Sequence, residues 1–399
     1  MDEHDGYRRD ECSAGADEPG SGAERRGERS LLSPCEVCAP PPRPAREERR
    51  APERLNLVFE AGGLLGHAEV GAVAALAQAL LYNERYKDTY ISYLAGTSAG
   101  AIIAVLLGAG YNHSEIADIF RDVMGAELAE YAKLSTFRRV RWYADTARGI
   151  FTRLGMSAGK HFSARLRDAL RAKRVRTFGD LLMPGCEREE DPSRKYRVHV
   201  IASDITRGRM LVLPDDINTE LYGVEPDDLD VAQAVMMSSS YPPVLSPVRL
   251  RGANGVESYI ADGALTSAFP IHLFDAGAPQ GPERLTLGIR VSAERYNEVK
   301  FPSFYHWLKA AFVTAFSARD VSETLKRVDK LKWARAIQIN TGDASMFALW
   351  MSPLKVEELY NAGYSAMRRA IDTNVLERAT AVQEAAEGVE RDVAGLRAP

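Results

Sequence analysis

Gly96-Thr97-Ser98-Ala99-Gly100 sets one serine between two glycines where a strand-like run meets a helix-like one. Upstream, Thr89-Tyr90-Ile91-Ser92-Tyr93-Leu94-Ala95 is β-branched and aromatic in the manner of a strand. Downstream, Ala101-Ile102-Ile103-Ala104-Val105-Leu106-Leu107 reads as the start of a buried helix. Glycines at both flanks, Gly96 and Gly100, let the backbone turn sharply, which lifts the serine hydroxyl clear of the sheet and aims a helix N-terminus at it. That is the setting of a nucleophile elbow and it suits acyl transfer. The string alone is weakly specific, because small residues are common wherever a strand turns into a helix, so its surroundings decide its meaning.

Earlier in the chain, Leu55-Asn56-Leu57-Val58-Phe59-Glu60 reads as a strand that runs into Ala61-Gly62-Gly63-Leu64-Leu65-Gly66, after which a second helix begins at His67-Ala68-Glu69-Val70-Gly71. Bare backbone N–H groups in such a loop can approach a ligand closely, and the helix dipole adds positive potential there. Three readings stand side by side: glycines that merely permit tight strand–helix packing, a phosphate cradle, or an oxyanion hole. No Lys-Ser or Lys-Thr follows the glycines and the spacing is not G-x-G-x-x-G, which counts against the phosphate cradle and favours the oxyanion hole. Glu60 and Glu69 are carboxylates near this loop; their positions at a strand end and on a helix predict that they face solvent or cap helices.

A third element, Tyr259-Ile260-Ala261-Asp262-Gly263-Ala264, delivers an aspartate at the end of a short apolar run. An Asp-Gly pair by itself marks a turn. A serine nucleophile, however, needs a base within hydrogen-bond reach, and histidine is the usual one. Of the seven histidines, His4 lies in a polar tail, His113 follows a Gly-Tyr-Asn turn, His161 and His306 fall in helical stretches, His199 in a strand from Tyr196 to Ala202, and His67 in the glycine loop. His272 follows Asp262 in the order Ser, Asp, His, and is kept as an alternative base with Asp262 as its orienter.

Taken together, the glycine loop through Gly71, the pentapeptide around Ser98 and Asp262-Gly263-Ala264 resemble the patatin-like phospholipases. Further stretches are similar to that family too: Ile201-Ala202-Ser203-Asp204-Ile205-Thr206-Arg207-Gly208, and Ala234-Val235-Met236-Met237-Ser238-Ser239-Ser240-Tyr241-Pro242-Pro243 before the aspartate. The likeness spans about Leu55 to Ile371. Ala61 stands where the family has its first glycine, and Leu65 where it usually has a basic residue. The resemblance implies a lipid acyl hydrolase with a serine–aspartate dyad and no histidine. Ser98 would be the nucleophile, Asp262 the base that takes its proton directly, and the N–H groups of Gly62, Gly63 and Ala99 the oxyanion donors, on the way to an acyl-enzyme that water resolves. An ordinary aspartate, with a pKa of about 3.9, is a weak base for an alcohol, so positioning and oxyanion stabilisation are expected to supply most of the rate gain.

Gross properties agree with an ordinary globular protein: 399 residues, 45% hydrophobic, net charge −4. Nothing in that balance suggests nucleic-acid binding. The uncharged stretch from Thr89 to Asn112 could pass for a membrane span, but its glycines and strand–turn–helix pattern favour a protein core. Residues 1–54 mix charges of both signs with proline and glycine, show no apolar signal-peptide run, and read as a disordered tail. Three of the four cysteines sit in that tail; Cys35-Glu36-Val37-Cys38 lacks two further ligands, so neither a metal nor any other cofactor is expected. A cytoplasmic protein, peripheral on membranes, fits this start, and so does one secreted without a cleaved leader.

Two stretches could meet lipid. Phe137-Arg138-Arg139-Val140-Arg141-Trp142-Tyr143 interleaves arginines with aromatics, suited to phosphates and an interface, or to a solvated helix face over core aromatics. Phe304, Leu308, Phe312 and Phe316 share one helix face, as a core stripe or the lining of an acyl cleft. The strand–glycine turn–helix units at Leu55–Ala79 and Thr89–Gly108 argue for an α/β domain with a largely parallel central sheet; the resemblance makes it a three-layer α/β/α patatin-like fold. The expected division is a tail (1–54), a catalytic domain (55–372) and a C-terminal helical extension (373–399). The expected activity is cleavage of acyl esters in a lipid substrate at a membrane or micelle surface, of the phospholipase A or lysophospholipase type. The alternatives are a Ser-His-Asp esterase of the α/β-hydrolase kind and a catalytically silent lipid-binding scaffold.

Overall fold

β1 (Arg54–Phe59) is buried along nearly its whole length, as an apolar strand in the middle of a sheet must be. The computed structural model describes residues 54–132, 149, 152–183, 195–274, 284–292, 336–346, 348 and 350–374. After a short 3₁₀ turn (Gly63–Leu65), α1 (Gly66–Tyr82) carries the chain to β2 (Tyr90–Thr97) and α2 (Ala99–Gly108). There follow α3 (His113–Ala132), α4 (Lys160–Ala172), β3 (Val198–Asp204), β4 (Arg209–Leu213), the single turn α5 (Thr219–Tyr222), α6 (Val231–Ser238), β5 (Val248–Arg251) and β6 (Glu257–Asp262). β7 (Arg284–Ser292), β8 (Ala336–Asn340) and α7 (Pro353–Asp372) complete the fold.

The eight strands form one sheet in the order β5-β6-β3-β2-β1-β7-β8, with β4 also paired to β3. The five strands β3, β2, β1, β7 and β8 run parallel, while β4, β5 and β6 are antiparallel to their neighbours. This is the expected α/β architecture with a largely parallel sheet. Both sheet faces are packed: Leu55, Leu57 and Phe59 point into the main core with the helices, and Val58 joins Ala95 and Phe269 in a smaller one.

One detail of register places the site. Val200 and Ile201 pair with both β2 and β4, and residues 202–204 pair with both β4 and β6. A strand has two edges, so β2 and β6 must share one edge of β3, meeting end to end. Thr97 sits opposite Ile201 and Asp262 opposite Ala202. The residue after Thr97 is Ser98.

α1 is long and apolar enough to cross a membrane by length and composition, yet it is largely buried inside the protein. It runs against α7 at very short range: a Cβ at Gly71 would overlap the Tyr360 carbonyl, and one at Gly363 the Ala68 carbonyl. The uncharged stretch from Thr89 to Asn112 is strand, elbow and helix, all three built into the core.

Candidate active site

Ser98 has φ 53° and ψ −117°, a conformation that L-residues seldom adopt, and it initiates α2. The elbow depends on its glycines by contact. A Cβ at Gly96 would strike the Gly100 carbonyl, and one at Gly100 would come within 2.7 Å of the Phe59 and Glu60 carbonyl oxygens. The Ser98 N–H is held by Ser238 Oγ at 2.8 Å, and that hydroxyl donates in turn to the Ile201 carbonyl. Ser238 was not singled out from the sequence; its signal was the run of three serines at the end of α6.

The side chain of Ser98 meets Asp262 directly, Oγ to Oδ2 at 2.9 Å. The other carboxylate oxygen accepts the Ala264 N–H at 2.9 Å, so this Asp-Gly does cap a turn while facing the serine. Around it, Ser203 Oγ donates to the Asp262 carbonyl, and Thr97 Oγ1 donates to the Ser267 carbonyl. Asp262 is 3% exposed. Burial pushes its pKa up to about 7, against the smaller opposing pull of its bonds from Ala264 and Ser98. The sequence-based expectation of a weakly basic aspartate is therefore corrected by desolvation.

The Ser98–Asp262 contact leaves no place for an imidazole between the two side chains. His272 lies in the 3₁₀ turn Ile271–Phe274. His199 is in β3, its Nε2 3.3 Å from Asp215 Oδ2, and His113 and His161 are in α3 and α4. His67 is buried edge-on against Phe120, and that burial, aided by the charge of Arg121, lowers its pKa to about 4. His4 and His306 lie outside the described residues.

The glycine loop lies beside the elbow, since a Cβ on Gly66 would sit 3.3 Å from that of Ala99. Ala61 donates to the Ala268 carbonyl and Leu65 to the Gly62 carbonyl, while the N–H groups of Gly62 and Gly63 meet no acceptor among the described residues. Ala99 opens α2, so its N–H has no intrahelical carbonyl to take. Gly63 has φ 54°, and a Cβ there would overlap the Met346 carbonyl.

Glu60 and Glu69 do not face solvent. Glu60 accepts two bonds from the Arg290 guanidinium and one from the Val291 N–H, on β7, and its own N–H donates to Glu69 Oε1 at 3.0 Å. These partners replace the water both would lose. Burial, and then the neighbouring Glu60 carboxylate, hold Glu69 well above the usual carboxylate range, and its Oε2 has no partner among the described residues. Among the described residues no group of three or more His, Cys, Asp or Glu could hold a metal ion. Trp142, Phe304, Leu308, Phe312 and Phe316, expected as lipid contacts, lie outside the described residues, as do Cys35 and Cys38.

A family model described as patatin-like phospholipase matches residues 57–275. The uncharacterized protein YqhO of Bacillus subtilis (strain 168) is 33% identical over 278 residues, which cover 69% of this chain and 85% of that protein. Among solved structures, VipD from Legionella pneumophila is similar over 81% of this chain and 68% of its own, at 18% identity and a TM-score of 0.41. ExoU in its heterodimeric complex with SpcU, from the type III secretion system of Pseudomonas aeruginosa, is similar over 82% of this chain and 52% of its own, at 16% identity and a TM-score of 0.42. With more than half of its length under that family model and a third of its residues shared with YqhO across the matched region, the chain belongs to the patatin-like phospholipase family of lipid acyl hydrolases.

Proposed function

We propose that the protein cleaves carboxylic esters of phospholipids or lysophospholipids through Ser98 and Asp262, at a membrane or micelle surface. Ser98 Oγ attacks the ester carbonyl carbon while its proton passes to Asp262 Oδ2. The N–H groups of Gly62, Gly63 and Ala99 face the oxyanion that forms. Collapse breaks the bond to the alcohol, which leaves with the proton from Asp262, and the acyl group stays on Ser98. Water then adds to the acyl-enzyme, gives its proton to the same carboxylate, and the fatty acid departs as that proton returns to Ser98.

The observation that carries this reading is the 2.9 Å hydrogen bond from the hydroxyl to a buried carboxylate whose pKa lies near 7. A base tuned to neutrality is the efficient one at neutral pH. A fluorophosphonate probe, followed by mass spectrometry of the adduct, tests it. Labelling of Ser98 that disappears in Asp262→Asn and on heating is the expected result. A folded wild-type protein that stays unlabelled would favour the lipid-binding scaffold, and loss of labelling in His272→Ala would favour the histidine-dependent esterase. Release of fatty acid from a diacyl and a monoacyl phospholipid, measured in parallel, assigns the substrate type.

A further inference from the structure

A groove of about 900 Å³ opens between the start of α1, the first half of α3 and the N-terminal part of α7. Its wall includes Leu64, Ala117, Met124, Met351, Val356 and Tyr360. The groove begins at the glycine loop. Leu64 stands between Gly63 and Gly66, and a Cβ at Gly66 would run into both the Phe120 ring of α3 and the Ala99 methyl, next to Ser98. The volume is in the range of about 300–1,000 Å³ usual for small-molecule sites.

The charges of the lining select against an anionic head group. Two carboxylates, Asp118 and Glu357, stand against the Arg121 guanidinium, and Arg121 is already paired with Asp118 at 3.2 Å. Burial keeps His67 neutral at physiological pH, so it adds no cation. What remains is a mostly apolar trough, with His113 and Ser114 as its other polar side chains. At its lip, Trp350 is 65% exposed and nearby Leu354, in the first turn of α7, is 67% exposed. An exposed indole, with an exposed leucine four residues on, suits the boundary between water and lipid tails.

We propose that this groove receives one acyl chain of the lipid substrate, led from the bilayer past Trp350 and Leu354 to the glycine loop. The proposal rests on the ester-cleaving role given above to Ser98. Substitutions that fill the trough, Ala117→Trp and Val356→Trp, together with Trp350→Ser at the exposed lip, test it by two readouts. The first is the ratio of kcat/KM for p-nitrophenyl palmitate in mixed micelles to that for p-nitrophenyl butyrate. Filling the trough should lower that ratio about tenfold or more, because the short ester does not need the space. The second is binding of cis-parinaric acid, followed by its fluorescence in Ser98→Ala, which requires no turnover; Val356→Trp added to that protein should weaken it by a similar factor. Folded filling variants with an unchanged ratio and unchanged parinaric acid binding would overturn the groove assignment even if Ser98 is the nucleophile. Conversely, Ser98→Ala that still hydrolyses both esters would defeat the catalytic reading while the binding measurement continued to judge the groove. If both filling variants fail to fold, Trp350→Ser decides: unchanged palmitate KM and parinaric acid affinity would then count against the proposal.

Discussion

Asp262 ionises at about 7 because it is buried, so under the proposed mechanism the ester meets a competent base only when the solution is neutral or alkaline. The limb of kcat/KM on the acid side should fall about tenfold per pH unit below that value, which a pH–rate profile on a soluble ester will show. The same burial has a cost in stability. In the unfolded chain the group ionises at about 3.9. Between those two values the folded protein retains a proton that the unfolded chain has released, so stability declines as pH rises through that window. Asp262→Asn removes the titration while keeping an acceptor for the Ala264 N–H. The variant should be inactive yet more stable than wild type above pH 7, by at most about 4 kcal/mol, with the advantage fading toward pH 4 in thermal melts. Glu69 offers a second case: the buried Glu60 N–H is shared between Glu69 Oε1 at 3.0 Å and the Ile289 carbonyl at 3.2 Å, so Glu69→Leu removes one of two acceptors and should lower stability by about 1 kcal/mol in urea unfolding, whereas Glu69→Gln keeps the acceptor and restores most of it. Ser98 and Asp262 were legible in the sequence because glycines flank them in recognisable strings. The burial of Glu60 and Glu69 was not, because it depends on Arg290 and Val291, far along the chain on β7.

Between elements, the strand–turn–helix units were legible from local pattern, since alternation, glycine turns and apolar helices are all encoded within short windows. The antiparallel part of the sheet was not, because which edge of β3 accepts β6 depends on strands far apart in sequence. That pairing is what brings Asp262 to Ser98. The α1–α7 contact was equally hidden, although Gly71 and Gly363 are its visible trace. Backbones this close leave no space for a methyl group. Gly363→Ala should push the helices apart and lower stability by about 1–3 kcal/mol, read as a drop in Tm by differential scanning calorimetry.

At the scale of the molecule, the stretch matched by the family model ends at residue 275, before two strands of the sheet have been made. β7 pairs with the whole of β1 and carries the arginine that holds Glu60. A chain truncated after residue 275 would leave β1 with an open apolar edge and Glu60 buried without its partner. Such a truncation should give insoluble protein, or soluble protein with no cooperative thermal transition by circular dichroism, whereas one ending at residue 374 should melt cooperatively. The sheet therefore needs β7 and β8 as well as the stretch that the family model matches.

The end-to-end meeting of β2 and β6 on β3 carries one more implication. Ser98 and Asp262 hang from a common strand, so they travel together when the sheet flexes, and neither relies on a surface segment for its place. Loops around the crevice are therefore free to diversify. A library that randomises the residues lining the crevice, but spares those three strands and the glycine turns, should yield catalysts that differ in what they cut and agree in how they cut it.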